Sequence, residues 1–516
     1  MSQSVKSFPL PKIKTFDEML DVFEEFRKKG VKVIQCHGVF DLLHPGHIRH
    51  FKEAKALGDK LIVTLTSDRF VNKGPGRPAF NESLRLESIA ALEDVDFVIL
   101  NDSPDAISAI EKIKPSIYVK GIEYKNHEKD VTGKITLEEI AVEAVGGEIH
   151  YTNDIVFSSS SLLNKYIEPQ PKAVSEFLSG LKKLYSIDDV IKRIEALSSL
   201  KVLVIGDAII DEYQYVEPLG QSGKGHHMVA RCADREVFLG GSLIVANHIA
   251  QFASNVTLVT ALGKKCPFIN FILRNLNSNV NNKFTYLEDT TTLIKKRYVQ
   301  KDGNTLTKLF ETYSGLEEHL NLQDTKRIVE FLSENAFNYD LVLACDFGNG
   351  FSNAQIIDAI SDSDAFVALN TQTNSGNRGF NVVTNYKRAD FISLNEPELR
   401  LAAHNRTSPL EGIAADVCQI MSSSFISITR GVNGVVCYTS DGSDFSVPAL
   451  ATSNIDRIGA GDSYLSLAAM CCAKKYPPIL CAFIGSLAAA ISVQMIGNQE
   501  PVKKDALCKF AIRLLK

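Results

Sequence analysis

The sequence predicts an α/β chain made of two doubly wound domains, and three observations point there. Short apolar runs at 31–35, 61–66 and 97–100 alternate with amphipathic stretches at 47–56 and 83–92, the pattern of parallel strands joined by helices. The pattern stops near Ile167 at Glu168-Pro-Gln-Pro-Lys172 and restarts at residue 201, with further runs at 256–261, 341–345, 365–369, 391–394 and 425–429. At 516 residues and 45% hydrophobic content, the chain is also too long for one core. The expected division is a domain over 1–167, a linker over 168–198 and a domain over 199–516.

Composition narrows the partners. A net charge of -5 and a pI near 6.2 leave no basic footprint, which argues against nucleic acid or an anionic membrane as the main partner; small anions then need local sites. The first residues, MSQSVKSFPLPKIKTF, hold no apolar signal region, so a cytoplasmic protein is expected. Ten scattered cysteines without a CxxC pair read as buried free thiols rather than disulfides or a zinc site. The apolar stretch 479–496 contains Gly485, Ser486, Ser492 and Gln494 and reads as a buried helix, not a membrane span.

In the first domain the strand at 31–35 runs into Gly38, and a helix is predicted to open at Pro45 or Gly46. His44 and His47 then share one face of its first turn, where backbone N–H groups and the helix dipole favour a triphosphate. Nucleotidyl transfer asks for alignment and charge neutralisation, so such donors suffice without a covalent nucleophile. The string from His37 to Asp68, with His44-Pro-Gly-His47, resembles the HxGH signature of the cytidylyltransferase-like nucleotidylyltransferases. It resembles, almost residue by residue, the transferase part of bacterial ADP-heptose synthases and their glycerol-phosphate cytidylyltransferase relatives. The resemblance implies a Rossmann-like domain. It places the family's basic groups at Lys73, Arg77 and Arg85, with His44, His47, Lys73 and Arg85 stabilising triphosphate charge. Gly38 and Phe40 join the nucleotide site, as do Ser158, Ser159 and Ser160, where relatives carry hydroxyls. Tyr118-Val119-Lys120-Gly121 resembles the family's strand ending in VKG. The chain departs at Val39 and at Ser159-Ser160, and neither change removes a donor.

The second domain carries Gly459-Ala460-Gly461-Asp462 at a loop-to-helix junction. Backbone N–H groups there can surround a phosphoryl group while the carboxylate accepts a proton from the attacking hydroxyl. With Asn395-Glu-Pro-Glu398 and Thr429-Arg-Gly431-Val-Asn-Gly434, the order of motifs resembles the ribokinase-like (PfkB) sugar kinases. That resemblance makes Asp462 the base and Gly459, Ala460 and Gly461 the anion hole. It sets Thr429, Gly431 and Gly434 against the nucleotide, and Asn395 and Glu398 as organisers of Mg²⁺. Asp207, Asp211, Gly240, Gly241 and Asn247 resemble the sugar-binding elements. Lys295 and Arg297 resemble a basic position near a substrate phosphate, a charged edge strand being the other reading. Asp346, after a strand, is a further candidate. The segment 220–229 departs from the proline-rich loop of heptose kinases, which leaves the sugar open.

Together the resemblances imply a bifunctional enzyme: an ATP- and Mg²⁺-dependent sugar or sugar-phosphate kinase, and a nucleotidyl transfer from ATP or CTP that releases pyrophosphate. The product would be a nucleotide-activated sugar. ADP-heptose synthases carry the two activities in the opposite order. The partners expected are these small molecules and a second copy of the chain in a homodimer. Two alternatives stay open: activities serving separate substrates, such as a glycerol-phosphate acceptor, or nucleotide binding without turnover.

Overall fold

The computed structural model describes residues 11–71, 74–75, 77–122, 134–152, 171–302, 305–315, 320–377, 379–451 and 454–516. They form two compact units, one of 1–171 with 508–516, the other of 172–507.

The first unit is a six-stranded parallel sheet of β1 (Ile13–Lys14), β2 (Val33–Gly38), β3 (Lys60–Thr66), β4 (Phe97–Asn101), β5 (Ile117–Gly121) and β6 (Glu148–Thr152), in the order β1-β4-β3-β2-β5-β6. Its central strands bury Val33, Ile34, Cys36, Leu61, Ile62, Val63 and Leu65 because helices cover both faces. On one face Ile34, Cys36, Val63 and Leu65 pack with Phe51 and Ala54 of the helix Pro45–Ala56 and with Ile89. On the other, Val33, Ile62 and Ile99 pack with Met19 and Phe23 of the helix Phe16–Lys28. That helix starts at a capping box between Thr15 and Glu18, which satisfies two backbone donors. Winding reverses between β2 and β5, and such a switch point leaves a crevice beyond the carboxyl end of β2.

In the second unit, β7 (Lys201–Gly206), β10 (Asn255–Gly263), β11 (Val280–Leu287), β14 (Leu341–Asp346), β15 (Phe366–Thr371), β16 (Phe391–Asn395) and β17 (Phe425–Thr429) lie parallel in the order β11-β10-β7-β14-β15-β16-β17. Antiparallel β18 (Val435–Thr439) and β19 (Asp444–Val447) extend that edge. The winding reverses between β7 and β14. A separate four-stranded sheet, ordered β13-β12-β8-β9, contains β8 (Ala208–Gln221), β9 (Met228–Gly241), β12 (Leu293–Asp302) and β13 (Thr305–Ser314). Only β8 and β12 run parallel in it.

Two boundaries differ from expectation. From Lys172 onward the expected linker is a pair of helices, Lys172–Leu184 and Ile187–Glu195, that bury Val174, Leu178, Leu181, Val190 and Ile194. A helical stretch is expected here; what the structure adds is that one stripe of each helix is buried while the charged residues lie on the other. Residues 508–516 cluster with the first unit rather than the second. The stretch at 479–496 is a buried helix, Pro478–Ser492, and no described helix is long and apolar enough to cross a membrane. All ten cysteines are free, and nine of them are buried.

Two candidate active sites

At the end of β2, Gly38 lies against the ring of Phe40, which holds a left-handed backbone with φ of 46°. The Phe40 ring meets the His47 ring edge-on at 5.3 Å. His44 is the N-cap of the helix Pro45–Ala56, its Nδ1 accepting the Gly46 N–H at 3.1 Å. Burial lowers the His44 pKa, so the ring is neutral, and an accepting Nδ1 puts the proton on Nε2 as a donor. The two imidazoles stack with centroids 3.9 Å apart. The sequence-predicted pair is therefore one assembled element at a helix N-terminus.

The two arginines that the resemblance points to, Arg77 and Arg85, are held by chain groups near the end of β2. Arg85 is 1% exposed, and its guanidinium donates to the Val39 carbonyl at 2.5 Å, the Thr66 carbonyl at 2.9 Å and Asp68 at 2.6 Å. The group ties β2 and β3 together where they end, while its Nε makes no hydrogen bond among the described residues. Arg77 reaches Asp41 at 3.1 Å, and Asp41 also accepts the Ala79 N–H at 2.6 Å, which folds the 77–80 segment beside the helix start. Asp41 and Asp68 are thus functional supports that sequence reading passed over. A third support is His37, whose ring nitrogens lie 3.0 Å from Thr64 Oγ1 and 3.3 Å from Thr66 Oγ1. Lys73, Ser158, Ser159 and Ser160 lie outside the described residues.

In the second unit a cleft of about 590 Å³ gathers Asp211, Gly241, Lys295, Arg297, Asn395, Thr429, Gly431, Gly434, Gly459, Ala460, Gly461 and Asp462. Gly459 turns left-handed with φ of 83° and starts the helix Ala460–Ala473, so Asp462 falls in its first turn. A Cβ at Gly461 would meet nothing, which leaves that side of the turn open. Burial, with the charge of Asp211 behind it, raises the Asp462 carboxyl to about 7, while Lys295 pulls the other way. A base poised there can take a hydroxyl proton near neutrality.

The acceptor end of the cleft is ionic. Arg297 donates to Asp211 through Nη1 and pairs with Glu311 through Nε at 3.2 Å. A Cβ on Gly240 would strike the Asp211 carboxylate, so Gly240 shapes the site without lining it. Lys295 is 5% exposed, with its ammonium 5.4 Å from the Tyr313 ring centroid and 5.7 Å from that of Phe347. Burial lowers its pKa, and Asp211 counters that. The parallel register of Asp211 with Lys295 explains how side chains so distant in sequence meet.

Asn395 and Glu398 form a capping box: the Glu398 N–H donates to Asn395 Oδ1 at 2.9 Å and the Asn395 N–H to Glu398 Oε2 at 2.8 Å. Burial raises Glu398 to about 7. It lines an adjoining cleft that shares Lys295, Arg297 and Asn395 with the first. Among the described residues no three His, Cys, Asp or Glu side chains gather as metal ligands. That donor set fits a cation held mainly by phosphate and water with one carboxylate nearby, the habit of Mg²⁺.

Three candidates do not line the cleft, though Asp207 and Asp346 bond to residues that do. Asp207 accepts the Phe347 N–H at 2.8 Å and the Phe351 N–H at 3.3 Å. Asn247 donates to the Asn275 carbonyl at 2.8 Å and accepts the Asn277 N–H at 2.9 Å. Asp346 accepts the Tyr386 hydroxyl at 3.0 Å. Each is an internal fastener. The apolar end of the cleft, with Val432, Leu450, Ala489 and Val493, is an addition: Val432 lies in the turn expected against the nucleotide, and Ala489 and Val493 in the stretch read as a buried helix.

Residues 36–166 match the cytidylyltransferase-like family, and residues 199–505, more than half of the chain, match the pfkB family of carbohydrate kinases. Curated relatives include the bifunctional protein HldE of Geobacter metallireducens, 36% identical over 140 residues, 27% of each chain. That of Hyphomonas neptunium is 42% identical over 135 residues, 26% of each. The chain spans about a quarter of the length of these relatives. Phosphofructokinase-2 from Escherichia coli superposes with a TM-score of 0.50 at 14% identity, over 61% of this chain and 100% of that one, a likeness of fold. The chain thus belongs to the pfkB family of carbohydrate kinases and carries a cytidylyltransferase-like domain ahead of its kinase domain.

Proposed function

We propose that the chain makes a nucleotide-activated sugar in two steps: an ATP-dependent phosphorylation in the second unit and a nucleotidyl transfer from ATP or CTP in the first. The observation that carries the reading is the placement of Asp462, a carboxyl poised near 7, across one cleft from Asp211, Arg297 and Lys295. An acceptor held by Asp211 and Arg297 gives its hydroxyl proton to Asp462. The new O–P bond forms as the bond from the γ-phosphorus to ADP breaks, and N–H groups of the Gly459–Gly461 turn receive the charge. The apolar end takes the nucleotide base. Mg²⁺, when bound with the nucleotide, neutralises phosphate charge; Asn395 and Glu398 stand where they would orient its waters. In the first unit, His44 and His47 supply donors at a helix N-terminus, where the α-phosphorus exchanges pyrophosphate for the sugar phosphate. HldE proteins are named as bifunctional, which supports the pairing.

The test measures ADP formation and pyrophosphate release with four nucleoside triphosphates and a set of sugars, sugar 1-phosphates and other sugar phosphates. Asp462→Ala is expected to lower ADP formation by about 10²–10⁴-fold and spare pyrophosphate release. His47→Ala is expected to lower pyrophosphate release by about 10²–10³-fold and spare ADP formation. Loss of both in either variant sinks the two-site reading. We also take the protein to be a homodimer, because Leu219, Met228 and Phe310 of the four-stranded sheet are exposed; a monomer mass by light scattering ends that part.

A further inference from the structure

The four-stranded sheet that carries Asp211 and Arg297 is fastened, at a second place, to the segment leading into the catalytic turn. Asp456 lies three residues before Gly459, and its side chain is 1% exposed. Lys308 Nζ on β13 is 2.7 Å from its Oδ1, and the Tyr213 hydroxyl on β8 donates to its Oδ2 at 2.5 Å. The Gly497 N–H donates to the same carboxylate at 3.0 Å and the Ile458 N–H at 3.2 Å. One carboxylate therefore gathers two side chains from the sheet and two amides from chain around the turn. Burial pushes the Asp456 carboxyl up, and Lys308 and Tyr213 with the amides outweigh it, so the group is ionised and the ammonium has a charge to hold. An apolar cluster repeats the link, with Tyr213, Phe238 and Val299 of the sheet packed on Ile458 and Ile496. Asn498 makes a third: its amide reaches toward Asp211 at 3.5 Å, and its Oδ1 fills the space that a Cβ on Gly459 would need.

We infer that Lys308 and Asp456 are positioning residues for phosphoryl transfer, fixing the distance between the acceptor on Asp211 and Arg297 and the base at Asp462. The inference rests on the kinase reading above. Neither side chain lines either cleft, so neither touches the reacting atoms. An acceptor bound by Asp211 and Arg297 stays bound when the tie is cut, but its hydroxyl and the turn lose register. Small misplacements of this kind act on turnover more than on binding.

The experiment uses the full-length protein and an acceptor on which the wild type turns over. Lys308→Met is expected to lower kcat for ADP formation by about 10- to 100-fold while the acceptor KM moves by less than about threefold. Lys308→Arg, which keeps the charge, is expected to recover most of the lost kcat. Ethylammonium added to Lys308→Ala is expected to restore part of kcat, whereas tetramethylammonium at equal ionic strength does not. Should Lys308→Met fail to fold, Asp456→Asn takes its place and the same split between kcat and KM decides. Wild-type kcat in Lys308→Met, a loss confined to KM, or equal damage in the Met and Arg variants overturns the inference and leaves the kinase reading standing. No ADP from the wild type with any acceptor overturns both.

Discussion

Asp462 sits in the first turn of a helix, and its carboxyl titrates near 7 because burial and the charge of Asp211 oppose ionisation. The sign follows from its role. Only the deprotonated form accepts the acceptor's proton, so kcat/KM for ADP formation should rise with pH, level off above about 7 and fall away as pH drops through that value. Asp211→Asn removes a charge that raises the group, so the acid limb should move to lower pH; an unmoved limb in a pH–rate profile rules out Asp462 as the titrating base. Asp462 was legible in the sequence because the turn before it is local: two glycines, an alanine and an acid announce it. Its partners Asp211 and Lys295 were read only as substrate-site candidates, and their action on Asp462 was not legible. Lys295 lies far off in the chain, and only the register of β8 with β12 brings it across the cleft. Asp207 shows a different limit, since an acid after a strand reads the same in sequence whatever it bonds, and the amides of Phe347 and Phe351 come from a distant segment.

At the scale of elements, strand ends decide where chemistry can happen, and Arg85 fixes two of them. Its guanidinium bridges the chain just past β2 to the last residue of β3 and to Asp68 from within the fold. Arg85→Met should destabilise the first unit by about 3–5 kcal/mol, since it leaves two carbonyls and a carboxylate without their donor. Thermal unfolding checks this, and a variant with an unchanged midpoint but a raised triphosphate KM would return Arg85 to the ligand. The parallel strands were readable from their apolar runs, because burial on both faces leaves a continuous signal. The four-stranded sheet was not, for β8 and β9 alternate and carry many charged residues, and the pairing of β8 with β12 joins segments far apart. A charged edge strand was one reading of Lys295 and Arg297; the structure puts them inside that sheet, on β12 between β13 and β8.

Across the whole molecule, contiguous sequence and compact structure part company at the carboxyl end. Residues 508–516 cluster with the first unit, where the Phe510 ring fills the space beside Gly74 and Arg513 donates to the Pro75 carbonyl at 2.6 Å. Phe510→Ala should therefore weaken the transferase unit, by about 3–5 kcal/mol on the scale of buried aromatic truncations. Calorimetry with ADP formation and pyrophosphate release measured after mild heating checks it: the second activity should be lost first. Nothing in the sequence marks this return, because a short helix reads alike wherever it docks. The placement has a consequence for biosynthesis. A ribosome adding about 5–20 residues per second needs on the order of tens of seconds to pass from the end of the first unit's main segment to its final piece. The unit translated first, about a third of the chain, thus waits without residues 508–516 until the whole of 172–507 has been made.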